Sequence, residues 1–202
     1  LFPPQMQQLH AAISAATGLN HGSIHITFSH THAAGLMDPG RADRPGGELI
    51  QPYLEELDNR CVRLVEQALA RLEPAVLTYG LGHCTLARHR DFWDEATGQF
   101  VCGFNPAGPA DPQVLVALVR RPDGQLLGSV VNYACHPTTL AFQNTLISPD
   151  FIGAMRETVE QFLPAPCLFL QGASGDLGPL HGFVGDPAVA DRNGRQLGFA
   201  AL

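Results

Sequence analysis

Polar and apolar positions along the chain follow two rhythms, one helical and one alternating. Residues 5–17 carry apolar side chains at helical spacing, and Gly18 suits the left-handed backbone that ends a helix. Residues 23–29, SIHITFS, alternate, with Ile24, Ile26 and Phe28 on one face, which predicts a strand. After a Gly-, Pro- and charge-rich loop over 38–47, helical spacing resumes at Glu48. There Leu49, Tyr53, Leu57, Leu64, Ala68 and Leu72 mark the stripe of the longest helix, ending near Pro74.

Residues 76–82, VLTYGLG, read as a strand, and 85–109 as loop with Gly and Pro punctuation. VLVALVR (114–120) and LLGSVVNYA (126–134) are strands joined by Arg121-Pro122-Asp123-Gly124, where Pro presets φ and Gly accepts a positive one. Ser148 can cap a helix with Pro149 at its first position and Phe151, Met155, Val159 and Phe162 as its apolar stripe. CLFLQGA (167–173) is almost wholly apolar, as a strand buried on both faces would be. Helices and strands interleave without an internal repeat. This predicts an α/β fold, a mixed β-sheet flanked by helices, in one domain over 1–202.

Composition narrows the classes. The chain has 202 residues, 45% hydrophobic and 15% charged, which supports a packed core. Its formal net charge of -7, with 12 Lys and Arg, argues against nucleic acid as a partner. No apolar run reaches the ~18 residues that span a bilayer. The chain starts at Leu1 and ends within helical spacing, GRQLGFAAL, so a piece of a longer protein is expected. A signal peptide could then precede it, and the compartment, cytoplasmic or secreted, stays open. The five cysteines are scattered without a CxxC pair, which fits buried apolar thiols rather than a disulfide framework or zinc ribbon.

Three loops follow predicted strands: SHTHAAG, CHPTTL and GASGDLGP. In α/β sheets, sites gather beyond strand ends, so a metal site is expected at these loops. His30 and His32 are two apart, and on an extended backbone both side chains point the same way, a workable spacing for zinc. Two polar loop histidines are the plainer alternative. His136 precedes Pro137, which holds it extended, and a hydrogen-bonded core histidine would look the same. Asp150 and Asp176 are the nearest carboxylates, and each could cap, make a turn or orient a metal-bound imidazole. Arg90 could stabilise an oxyanion. Cys135 neighbours His136 on a strand, so their side chains point apart and no Cys–His pair is expected. Ser174 lacks the G-x-S-x-G spacing of a nucleophile elbow. His10, His21, His25, His83, His89 and His181 have no comparable context.

Taken in order, SHTHAAG, NYACHPTTLAFQNTLISPDFIG and FLQGASGDLGP resemble the catalytic domain of the neutral/alkaline (non-lysosomal) ceramidase family, supported by LEPAVLTYGLG and DPQVLVALVRRPDG. The resemblance implies a zinc-dependent amidase that cleaves ceramide to a fatty acid and a sphingoid base. It implies His30 and His136 as zinc ligands and His32 and Arg90 in the catalytic pocket. It also implies a Glu and a Tyr ligand outside these 202 residues. Asp176 is expected to orient a ligand or a water. The family's G-D-x-S-P serine falls on Gly178, in Gly175-Asp176-Leu177-Gly178-Pro179, and a glycine cannot attack a carbonyl. That leaves metal-activated water, a shifted Ser174, or a different substrate. The expected partner is a small-molecule or lipid amide, with membrane contact through the substrate and no transmembrane segment. A non-catalytic binding protein on the same fold, or a zinc hydrolase of another amide or an ester, are the alternatives.

Overall fold

The computed structural model describes residues 1–202 and divides into two compact units, Leu1–Ile26 with Gly35–Glu73, and Thr27–Ala34 with Pro74–Leu202. The elements in chain order are α1 (Pro3–Thr17), α2 (Ile50–Leu69), β1 (Val76–His83), β2 (Ala87–His89), β3 (Asp91–Asp94), β4 (Gln99–Cys102), β5 (Gln113–Arg120), β6 (Leu126–Tyr133), α3 (Phe151–Phe162), β7 (Cys167–Gln171), β8 (Leu177–Pro179) and α4 (Pro187–Ala201). No helix is long and apolar enough to cross a membrane.

The first unit is built on α1 and α2. Gly18, at φ 73°, closes α1 by donating its N–H to the Ser14 carbonyl. Leu9, Ile13 and Ile24 pack with Cys61, Val62 and Val65 of α2. The inward stripe of α2 therefore differs from the one read in the sequence: Leu49, Tyr53, Leu64 and Leu72 are exposed. The helix carries apolar residues on more than one face, and α1 covers the face holding Cys61, Val62 and Val65. It also ends at Leu69, short of Pro74, with Ala70 as its C-cap. The strand expected over 23–29 does not form: Ser23 ends a short 3-10 turn, and 24–29 pair with no strand of any sheet; Ile24 turns inward while Phe28 stays exposed.

The second unit carries a mixed four-stranded sheet in the order β1-β5-β6-β7. β1, β5 and β6 are antiparallel, and β6 runs parallel to β7 through the α3 crossover. The Pro-Asp-Gly turn joins β5 and β6 as the sequence predicts, with Gly124 at φ 93° and its N–H on the Arg121 carbonyl. β2 with β8 and β3 with β4 form two small antiparallel pairs within the stretch predicted as loop and beyond it. Both pairs are short, below the length at which alternation stands out.

Alternation decides the core. Val114, Val131, Tyr133 and Cys167 point to one face of the sheet and pack with Phe151, Met155, Val159 and Leu197 of α3 and α4. The two helices meet closely because Gly194 and Gly198 have no side chain: a Cβ on Gly194 would lie 2.2 Å from the Phe151 carbonyl oxygen. Leu77, Tyr79, Leu81, Leu115 and Leu168 point to the other face and are exposed. β7 is thus buried on one face only, not on both as its apolar run suggested. The Tyr133 hydroxyl is satisfied inside, accepting from the Ala87 N–H at 2.9 Å and donating to the Cys84 carbonyl at 3.0 Å. α3 begins at Phe151, one turn-defining pair of residues later than predicted. Its cap is Asp150, and Ser148 instead accepts the Asp150 N–H at 3.0 Å.

Candidate metal centre

His136 lies just beyond the end of β6, with its backbone N–H on the Leu177 carbonyl at 3.2 Å. Its Nδ1 is 3.0 Å from the Ser174 carbonyl oxygen, which only accepts, so Nδ1 carries the proton and Nε2 presents a lone pair. His30 and His32 come from the 27–34 loop, which follows no strand. Two ties fix that loop beside the segment entering α3: Thr31 Oγ1 donates to the Ser148 carbonyl at 2.8 Å, and the Ser148 N–H donates to the Ala33 carbonyl at 2.8 Å. The His32 N–H donates to the Pro137 carbonyl at 3.3 Å. His30 adopts φ 65°, so the extended i, i+2 geometry read from the sequence does not apply. A left-handed turn brings the imidazoles together instead.

The Nε2 atoms of His30 and His32 each lie 3.0 Å from Nε2 of His136, and the three nitrogens fall within 4.8 Å of one another. Burial, then the charges of neighbouring groups including Arg90, lowers the pKa of His32 from 6.5. His136 is also lowered, first by burial, while its bond to Ser174 opposes the shift. Neutral imidazoles with converging lone pairs repel unless a cation or shared protons sit between them. A divalent cation that takes nitrogen ligands, such as zinc, suits this donor set, and the three residues could hold one.

The loop after β7 organises the surroundings with consecutive carbonyls. Ser174 takes His136 Nδ1, Gly175 takes Arg90 Nε and Nη2 at 2.9 and 2.7 Å, and Asp176 takes the Arg90 N–H at 2.8 Å. Arg90 is thereby held beside the histidines. The Asp176 carboxylate faces His89, with Oδ2 3.6 Å from Nε2. Its contact is with that histidine, which has no comparable context in the sequence, and not with His30, His32 or His136. Asp150 places both carboxylate oxygens on backbone amides, Phe151 N–H at 2.6 Å and Leu140 N–H at 2.9 Å, so it orients no imidazole.

Gly178 lies in β8 between Arg90 and Thr138: a Cβ there would sit 3.5 Å from Arg90 Cδ and 3.9 Å from Thr138 Oγ1, in ordinary contact. Arg90, Phe104, Gly178 and Phe183 line a cleft of about 170 Å³. A larger cleft of about 250 Å³ between β1 and the end of α4 offers no histidine, cysteine or carboxylate side chain. Ser174 is buried and its Oγ accepts from Gln171 Nε2 at 2.7 Å, an anchor of the loop. Burial pushes the Cys135 thiol well above its ordinary pKa, which keeps it protonated and unreactive. All five cysteines are free. Residue types could not reveal the gripping carbonyls of Ser174, Gly175 and Asp176. His89 had one signal, its place beside Arg90.

No protein-family model matches the chain. Over 90 residues, 44% of its length, it is 34% identical to the neutral ceramidase of Pseudomonas aeruginosa, and the matched stretch is 13% of that protein. The crystal structure of neutral ceramidase from Pseudomonas aeruginosa shares the fold with a TM-score of 0.68 at 21% identity, over 96% of this chain and 34% of that one. A ceramidase complexed with C2 gives a TM-score of 0.71 at 22% identity, over 96% of this chain and 33% of that one. The chain spans about a third of the length of the solved structures it matches. By sequence over part of its length and by fold over nearly all of it, the chain is related to the neutral ceramidases.

Proposed function

We propose that residues 1–202 form part of the catalytic domain of a zinc-dependent hydrolase of N-acyl amide bonds, acting on ceramide or a similar lipid amide. The observation that carries this reading is the convergence of three imidazole Nε2 atoms on a fold shared with ceramidases. In this account His30 and His136 hold the zinc, and further ligands come from residues beyond these 202. The ion, when bound, supplies Lewis acidity and lowers the pKa of water toward neutrality. Ser174 holds the His136 ring so that Nε2 can act as a ligand. His32 and Arg90 face the substrate carbonyl oxygen, where a cation and an N–H donor oppose the charge that develops as the carbonyl carbon is attacked. Asp176, whose carbonyl takes the Arg90 N–H and whose carboxylate faces His89, helps seat Arg90. With Gly178 offering no hydroxyl, water is the attacking group; the C–N bond breaks and the leaving nitrogen takes a proton.

His32 supports a second reading. Its Nε2 is as close to His136 as that of His30, which makes it a candidate third ligand instead of a pocket residue. His32→Ala separates the two: zinc retained with hydrolysis lost favours the pocket role, zinc lost favours ligation.

The function is tested by assaying the zinc-loaded protein on an N-acyl sphingoid amide and on the matching ester. Release of fatty acid from the amide, abolished by His136→Ala, is the expected result. Cleavage of the ester alone would point to a different hydrolase. Cleavage of neither would leave a binding protein.

A further inference from the structure

Gln171 ends β7 and takes no direct part in the histidine cluster. Its side-chain amide donates both hydrogens: Nε2 lies 2.9 Å from the Cys135 carbonyl and 2.7 Å from Ser174 Oγ. The orientation of the amide is set, because in the flipped state Oε1 would face the Cys135 carbonyl, acceptor against acceptor. Oε1 is buried without a hydrogen-bond partner, so the side chain is held by its donors at a cost on its acceptor side.

The two donated bonds close a ring. Cys135 is bonded in sequence to His136, His136 Nδ1 meets the Ser174 carbonyl, Ser174 Oγ meets Gln171, and Gln171 returns to Cys135. The Ser174 carbonyl also accepts the Leu177 N–H at 3.1 Å, which closes the turn, and the Gln171 bond adds a side-chain anchor at the same residue. The neighbouring carbonyls of Gly175 and Asp176 hold Arg90, so a shift at Ser174 would be passed to both. We infer that Gln171 is a positioning residue that, by anchoring the Ser174 side chain alongside the Leu177 N–H bond to the Ser174 carbonyl, keeps that carbonyl against Nδ1 and so sets the ring tautomer of His136. Its effect on metal affinity rests on the metal-centre reading above; its effect on the tautomer does not. Removing the outer partners of a ligating histidine typically weakens metal binding by about 10–100-fold, and Gln171, one step further out, is placed at the lower end, about tenfold.

The test compares wild type with Gln171→Met, which keeps the length and loses both donors. In metal-free protein, the long-range ¹⁵N–¹H correlations of His136 report the tautomer. Wild type should show Nδ1 protonated, and Gln171→Met a mixture of both forms. Cobalt(II) titration followed by visible absorption should give about tenfold weaker binding in the variant. Val159→Ala, a core change on α3, should lower stability while leaving tautomer and cobalt affinity unchanged, which separates positioning from general destabilisation. If Gln171→Met does not fold, Ser174→Ala removes the other end of the same bond and should shift the tautomer in the same direction. An unchanged tautomer in whichever variant folds overturns the inference. If wild type binds no cobalt, the metal reading fails and the tautomer comparison still decides the role of Gln171.

Discussion

His30 and His136 stand 106 positions apart in the chain, and their Nε2 atoms are 3.0 Å apart. Both are held by ties to distant segments. His136 is held by the loop after β7, and His30 by a left-handed turn tied to the entrance of α3. Two independent supports that deliver two lone pairs to one point, with His32 as a third, are what a metal centre requires and what a pair of solvent-facing histidines does not.

The metal-free protein should lose stability on acidification. Both His32 and His136 have folded pKa values below 6.5. Below pH 6.5 the unfolded chain therefore takes up protons that the folded chain resists, so stability present above that pH is lost as pH falls through the folded values. Urea midpoints measured from pH 7.5 down to about 5 should fall, and less so in His32→Gln. A flat profile would contradict the preference of the folded protein for the neutral form of these rings.

Asp150 anchors the turn that carries Ser148 toward the histidine loop. It is buried at φ 57°, a conformation that costs about 1–3 kcal/mol for a residue with a side chain. The two amides on its carboxylate offset this. Asp150→Ala should destabilise by about 3 kcal/mol, since hydrogen bonds to a charged group contribute roughly 1.5–3 kcal/mol each. Asp150→Asn, which keeps one acceptor oxygen, should cost less. Equilibrium denaturation measures both, and a loss below about 1 kcal/mol in the alanine variant would show that the turn holds without the carboxylate.

Gly178→Ser should fold normally. The backbone there is not in the left-handed region, and the added Cβ meets only ordinary contacts with Arg90 and Thr138. A stability change within about 1 kcal/mol is expected. With water as the attacking group, the new hydroxyl should not raise the hydrolysis rate. A variant faster than wild type would show that a side-chain nucleophile is what the natural sequence lacks.

Much of the scaffold was legible because it announces itself locally. Gly18 marked the end of α1, and Pro122-Asp123-Gly124 joined two alternating runs into the β5–β6 hairpin. Where a decision needed a partner, the pattern failed. Residues 23–29 alternate like a strand, yet no strand pairs with them. α2 has more apolar faces than α1 can cover, and Leu168 looked buried because residue type does not say which sheet face is packed. The three histidines and Arg90 could be named from their motifs. The groups that aim them could not: the carbonyls of Ser174 and Gly175 are backbone atoms, and Gln171 works through a side chain that any polar loop residue resembles.

Zinc stoichiometry tests the central claim most directly. Elemental analysis of the full-length wild-type protein, which carries the remaining ligands, purified without chelator and supplied with zinc, should find about one ion per chain, as one cluster of ligands implies. The His30→Ala/His136→Ala variant should hold none. Equal zinc in both proteins, or none in either, would contradict a metal centre built on these histidines.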